Sequence, residues 1–164
     1  MPGAASWSFR EDDFKTIQER LVAFLREANA RSALLVDRNG QLVASAGETL
    51  EFDPTAFASL TAADFSANDQ LAKMIGEDDF ASLVHQGERE SMFLADVAKR
   101  VILVVLFDKR TTLGMVKLRA RGAVQSLTQV FEEMFGRMET DALDVAPGLL
   151  EGAEDEIDKL FGDF

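Results

Sequence analysis

The sequence predicts an α/β fold of the α+β sandwich type: a five-stranded antiparallel sheet with helices on both faces, in the order α-β-β-α-β-β-β-α. Three observations carry this prediction. Two short apolar runs, SALLVD (Ser32–Asp37) and QLVASA (Gln41–Ala46), flank Arg38-Asn39-Gly40, and Asn-Gly tolerates the positive φ angles of a tight hairpin turn. Phe80 to Gly87, Glu90 to Val97 and Arg100 to Phe107 read as strands joined by short polar links, which makes them antiparallel neighbours. The last of them, VILVVLF, is apolar at every position. A strand with one wet face would alternate, so this one belongs at the centre of the sheet with both faces covered.

The helices follow from period and punctuation. Ser8 and Glu11 fit a capping box, and Phe14, Ile17, Leu21, Phe24, Leu25 and Ala28 then recur at spacings of three and four to about Asn29. Asp53-Pro54 opens a second helix, with Asp as N-cap and Pro where no hydrogen bond is lost; Gly76 closes it as a left-handed C-cap. From Leu113 the pattern is ambiguous, because Val116, Leu118 and Ala120 alternate with Lys117, Arg119 and Arg121. The longer series through Val124, Leu127, Phe131, Phe135 and Met138 has helical period, so a third helix is expected, capped by Thr111 or Thr112.

The domain so defined spans residues 9–138, after an expected disordered arm over 1–8. Residues 139–152 contain Pro147-Gly148 and little periodicity, and read as a linker. Residues 153–164 form an acidic tail with a narrow apolar stripe of Ile157, Leu160, Phe161 and Phe164. About ten residues do not hold a helix alone in water, so the tail reads either as a segment that folds on a partner or as a frayed solubilising end.

Composition narrows the function. At 47% hydrophobic and 28% charged, 164 residues suit one domain with a sizeable core. A net charge of −12 opposes binding to nucleic acid and to anionic lipid. No apolar run approaches membrane-spanning length, so no membrane insertion is expected. With no cysteine, disulfides, zinc clusters and thiol nucleophiles are excluded, and the cytoplasm is the expected compartment. His85 is the single histidine and has no nucleophile near it in sequence, so a satisfied or surface role is the better reading. There is no GxxxxGK[ST] or GxGxxG loop. Glu77-Asp78-Asp79 are consecutive rather than alternating, which suits a solvated loop better than a metal site. No cofactor, metal or catalytic residue is expected. Lys117, Arg119 and Arg121 read as the wet side of the third helix or as partners of the acidic tail.

The second helix is unusually bare. At 100° per residue, Phe57, Leu60, Leu71 and Ile75 share one side, with Ala67 and Met74 at its edge; this is the expected sheet-facing stripe. Asp64 and Asn68 fall in the same sector, where they either hydrogen-bond or meet another subunit. The opposite side holds Ser59, Ala62, Ala63, Ser66, Gln70 and Lys73. Small side chains let another backbone come close and lose little entropy on ordering, so this side reads as a contact surface.

LLVDRNGQLVASAG, FASLTAADFSANDQLAKMIGE, HQGERESMFLADV and above all RVILVVLFDKRTTLGMVKLR, in that order, resemble the Roadblock/dynein light chain superfamily, and within it the MglB-like regulators of MglA-like small Ras-like GTPases. The resemblance covers Phe14 to about Phe135. It implies a homodimer sharing one sheet, with the strand around Ser82, Val84 and Gln86 paired to its copy and Asp64, Asn68 and Leu71 at the seam. It implies activation of GTP hydrolysis by repositioning the partner's own catalytic residues, in cell polarity or gliding motility, with enrichment at a cell pole. Ala62, Ala63, Ser66, Ala67, Gln70, Lys73 and Lys15 would meet the GTPase, and Ile157, Leu160, Phe161 and Phe164 would add a tail contact. The alternatives are a Roadblock scaffold that binds without stimulating hydrolysis, a small-molecule sensor domain, and an independent enzyme.

Overall fold

The computed structural model describes residues 9–161; the side chains of residues 145–151, 153–155, 157 and 158 lie outside the description, as do the expected arm over 1–8 and its capping Ser8. The elements are α1 (Glu11–Ala28), β1 (Ser32–Asp37), β2 (Leu42–Gly47), α2 (Pro54–Met74), β3 (Ser82–Gln86), β4 (Ser91–Val97), β5 (Val101–Phe107) and α3 (Leu113–Phe161). The strands form one antiparallel sheet in the order β2-β1-β5-β4-β3. β5 is therefore central, and five of its seven residues have no exposure at all.

Local chemistry sets the ends of the elements. Thr55 N–H donates to Asp53 Oδ1 at 3.0 Å, and Met115 N–H donates to Thr112 Oγ1 at 3.2 Å, so Asp53 and Thr112 cap α2 and α3. After α2, Gly76 has φ +89, its N–H donates to Lys73 O and that of Glu77 donates to Ala72 O, the paired bonds of a Schellman end. At α1 the cap differs from the expected Ser8–Glu11 box. The Arg10 N–H donates to Asp13 Oδ2 at 3.3 Å, because Asp13 is the carboxylate one turn inside the observed start. In the β1–β2 turn only Gly40 has a positive φ, +91, and Asp37 Oδ1 accepts from the N–H groups of Asn39 and Gln41.

Register decides which side chains share a face. Leu34, Val36, Leu94, Ile102 and Val104 pack with Ala58, Ala62 and Phe65, so α2 covers this face. Ala33, Leu35, Ala44, Phe93, Ala95, Leu103 and Val105 point the other way and are also buried. α1, through Ile17, Leu21, Phe24 and Leu25, and the first turns of α3, through Val116, Ala120 and Leu127, supply the cover there.

By contacts the chain divides into two compact units, Met1–Phe131 and Glu132–Phe164. The expected linker over 139–152 is helical: α3 continues through it to Phe161. Pro147 removes one backbone hydrogen bond at a cost of about 3 kcal/mol, but Ala, Leu and Glu on both sides are good helix formers, and the break expected from Pro-Gly does not occur. In this second unit Leu143, Leu160 and Phe161 are exposed, while the Ile157 side chain and the whole of Phe164 fall outside the description.

α2 is turned relative to the expectation. Its buried residues are Ala58, Thr61, Ala62, Phe65, Asn68 and Ala72. Leu60, Leu71, Met74 and Ile75, assigned to the sheet, are 58–82% exposed, and Ala67 is exposed too. The helix is rotated by roughly a quarter turn from the most apolar orientation. The cause lies beneath it. Arg38, at the end of β1, sits 4.7 Å from the centre of the Phe65 ring, donates to Asp69 Oδ2 at 2.8 Å, and pairs also with Asp96. Turning Leu71 inward would pull Phe65 and Asp69 away from the guanidinium and leave it, among the described residues, only Asp96. Ala58, Ala62 and Ala72 have the small size that lets the helix approach the sheet in this orientation.

Candidate protein-interaction surface

The sheet has two edges, and they are treated differently. At β2, Glu48 N–H donates to Arg31 O, and the alternation of an antiparallel ladder then turns the Ser45 backbone outward. Its carbonyl accepts from Gln18 Nε2 of α1 at 2.8 Å. A side chain thus occupies part of that edge, a common way to prevent strand addition. At β3, Ala81 O accepts from Asp96 N–H and Gly87 N–H donates to Glu90 O. By the same alternation Leu83 and His85 face β4, and the backbones of Ser82, Val84 and Gln86 face outward. No described side chain hydrogen-bonds to these outward groups.

α2 lies beside this open edge. Asp64 Oδ2 is 2.6 Å from Nε2 of His85 on β3, which answers what both residues are for. Asp64 is half-buried, and the pair fixes the helix against the edge strand. On the same flank stand the exposed Leu60, Leu71 and Ile75. Four large apolar side chains left in water on one helix, counting Met74, are a patch that calls for a partner. Asn68 lies beneath, 6% exposed, and its Nδ2 makes no hydrogen bond among the described residues. It is buried within the subunit, so of the expected seam residues Asp64, Leu71, Ser82, Val84 and Gln86 remain accessible and Asn68 does not.

The outward flank of α2 carries Ala63, Ser66, Ala67, Gln70 and Lys73, all exposed and adjacent. Ala62, expected among them, is 8% exposed and tucked into the core with Phe65. Lys15 is exposed on α1, on the other face of the sheet, and is not brought together with the α2 positions. The third flank carries the Arg38–Asp69–Asp96 cluster, extended by Lys99, which pairs with Asp79 and lies 3.8 Å from Asp96. Sequence reasoning missed this cluster because its members are far apart in the chain. Asp69, on the same side as Phe65, was the available signal that this side of α2 faces the sheet.

A second ionic cluster ties the loops at the opposite end of the strands. Arg31 Nε donates to Glu48 Oε2 at 2.8 Å and its Nη1 pairs with Glu90; Arg110 reaches Glu48 Oε1 at 2.8 Å and Asp108 Oδ1 at 3.0 Å. Hydrogen bonds from Arg31 and Arg110 hold Glu48 below the usual carboxylate range, and bonds from Arg110 do the same for Asp108.

Among the described residues no group of three or more His, Cys, Asp or Glu is placed to hold a metal ion, and no helix is long and apolar enough to cross a membrane. What the geometry defines is a module with a covered sheet, one open edge and an uncovered helix beside it.

Comparison places this module. The Roadblock/LC7 domain family matches residues 16–107, and the chain belongs to that family. Within it the chain is similar to MglB of Myxococcus xanthus, at 43% identity over 77% of this chain and 96% of that one, with a TM-score of 0.73. The gliding protein MglB of Thermus thermophilus is 34% identical over 78% of this chain and 97% of its own, also at 0.73. An MglB with a tetrameric arrangement is 33% identical over 79% and 97%, at 0.74. No curated protein matches the chain in sequence.

Proposed function

We propose that the chain acts as a homodimer that activates an MglA-like small Ras-like GTPase, in bacterial cell polarity or gliding motility. The observation that carries this reading is the uncovered apolar flank of α2 (Leu60, Leu71, Ile75) lying beside the outward backbone of Ser82, Val84 and Gln86. Strand addition at β3 joins two sheets into one, and the apolar flanks of two α2 helices then cover each other. The outward flanks, with Ala63, Ser66, Ala67, Gln70 and Lys73 from each copy, become one low platform. Small side chains let the GTPase backbone come close to it. The platform brings no nucleophile or base, so its action on hydrolysis is to hold the GTPase's own catalytic groups in position. The similarity to MglB proteins, one of them described as a gliding protein, supports this assignment. The working place is the cytoplasm, concentrated at a cell pole.

The test is GTP turnover by the cognate GTPase, with and without saturating protein. Stimulation is expected, and Ala63→Arg with Ala67→Arg should abolish it while light scattering still finds a dimer. Binding with unchanged turnover would replace the activator by a Roadblock scaffold. Monomers in the double variant would make the outward flank part of the dimer seam.

A further inference from the structure

A groove of about 540 Å³ opens on the α3 side of the sheet, away from α2. Its floor is apolar, made by Phe93 and Ala95 of β4 and Ala120 of α3, with Val124 half-buried at one wall. Its rim is basic. Lys117 and Arg121 stand one turn apart on α3, both exposed, and neither has a salt bridge among the described residues. Lys99, at the far side of the groove, differs from them in being paired with Asp79 and lying 3.8 Å from Asp96. Two like charges at i and i+4 repel, and a protein of net charge −12 has acids in excess with which to neutralise them. An apolar floor under an uncompensated basic rim fits an acidic amphipathic helix, whose apolar stripe enters the groove while its carboxylates meet the rim.

The sequence supplies one segment of that chemistry. In EGAEDEIDKLFGDF, Ile157, Leu160 and Phe161 recur at helical spacing, while Glu154, Asp155, Glu156 and Asp158 surround them. Leu160 and Phe161 are exposed, 69% and 71%, so their burial awaits a partner. Each copy carries one such groove and one such segment, so docking between copies satisfies both. We propose that the C-terminal segment of a second copy docks in the groove between α3 and the β3–β4 strands, linking dimers or the subunits within one. This assignment does not rest on the GTPase reading, and it gives the tail a partner other than the GTPase.

The experiment is a fluorescence-anisotropy titration of a labelled peptide with the sequence of residues 151–164 against the full-length protein. Saturable binding is expected, weakened by salt and at least tenfold weaker for Lys117→Glu with Arg121→Glu. A peptide in which Glu154, Asp155 and Glu156 are replaced by Lys should bind that variant better than the native peptide does. Because the chain has no cysteine, a disulfide should also form between copies carrying Val124→Cys and copies carrying Leu160→Cys. Both substituted rim residues are exposed, so circular dichroism of the variant should match that of the native protein. Absence of peptide binding to the native protein, or binding indifferent to the rim substitutions, would overturn the proposal.

Discussion

Asp64 of α2 and His85 of β3 stand 2.6 Å apart, Oδ2 to Nε2, and join the helix to the open edge of the sheet. The two features proposed to form the dimer seam are thereby held as one body. Outside this clasp β3 is bonded, among the described residues, only to β4, so the edge strand presents its free backbone in a set orientation to whatever adds to it.

The first prediction separates the edge from the fold. The N–H of Val84 points away from β4 and that of Leu83 points toward it. Val84→Pro should leave the circular dichroism of the folded chain in place yet shift sedimentation from dimer to monomer. Leu83→Pro removes a ladder bond within the subunit and should destabilise the fold itself. Equal effects of the two on stability would refute the assigned orientation of the strand.

The exposed and buried sides of α2 should behave oppositely. Leu71→Glu with Met74→Glu changes side chains that are 58% and 82% exposed, and should alter monomer stability by no more than about 0.5 kcal/mol while weakening self-association. Phe65→Ala removes a side chain with no exposure and should cost about 3–5 kcal/mol by urea unfolding. Were the glutamates as destabilising as the loss of Phe65, the rotation of the helix described above would be wrong.

Arg38 is the pivot of that rotation. Arg38→Ala leaves Asp69 without its cation and Asp96 with only the more distant Lys99, and should cost about 2 kcal/mol given that the guanidinium is itself partly exposed. Adding Asp69→Leu and Asp96→Leu should recover part of the loss, since apolar replacements leave no unpaired charge. No recovery in chemical denaturation would place the role of Arg38 in its contact with Phe65 instead.

The cluster at the other end of the strands predicts a pH dependence. Glu48 and Asp108 are held below their usual carboxylate values by Arg31 and Arg110. A carboxylate lowered by folding stabilises the fold above its unfolded value, about 4, and loses that contribution as pH falls through the lower folded value. The melting temperature of the native chain should therefore exceed that of Arg31→Ala at pH 7, and the gap should close in scans below about pH 4. A gap that stays constant down to about pH 2.5 would show that Arg31 acts by packing alone.

Much of this protein is set by the sequence. The element order, the hairpin at Asn39-Gly40, the caps at Asp53, Thr112 and Gly76 and the central place of VILVVLF all follow from interactions within a few residues or from a run whose hydropathy admits one environment. The bareness of α2 was legible too. Which side of α2 faces the sheet was not. Counting apolar residues favours Leu60, Leu71 and Ile75, but a helix packs against a particular surface, and that surface carries Arg38 and Asp96 beside a floor suited to Phe65 and small side chains. Those partners come from β1 and β4, and Arg38 alone stands 31 residues from Asp69 in the chain, beyond the reach of any local pattern. The same holds for the unlike edges, where Gln18 reaches Ser45 while Ser82, Val84 and Gln86 remain open. Local propensity determines which elements form; only the tertiary fold, by deciding which apolar face finds cover inside the subunit, determines which one is left for a partner.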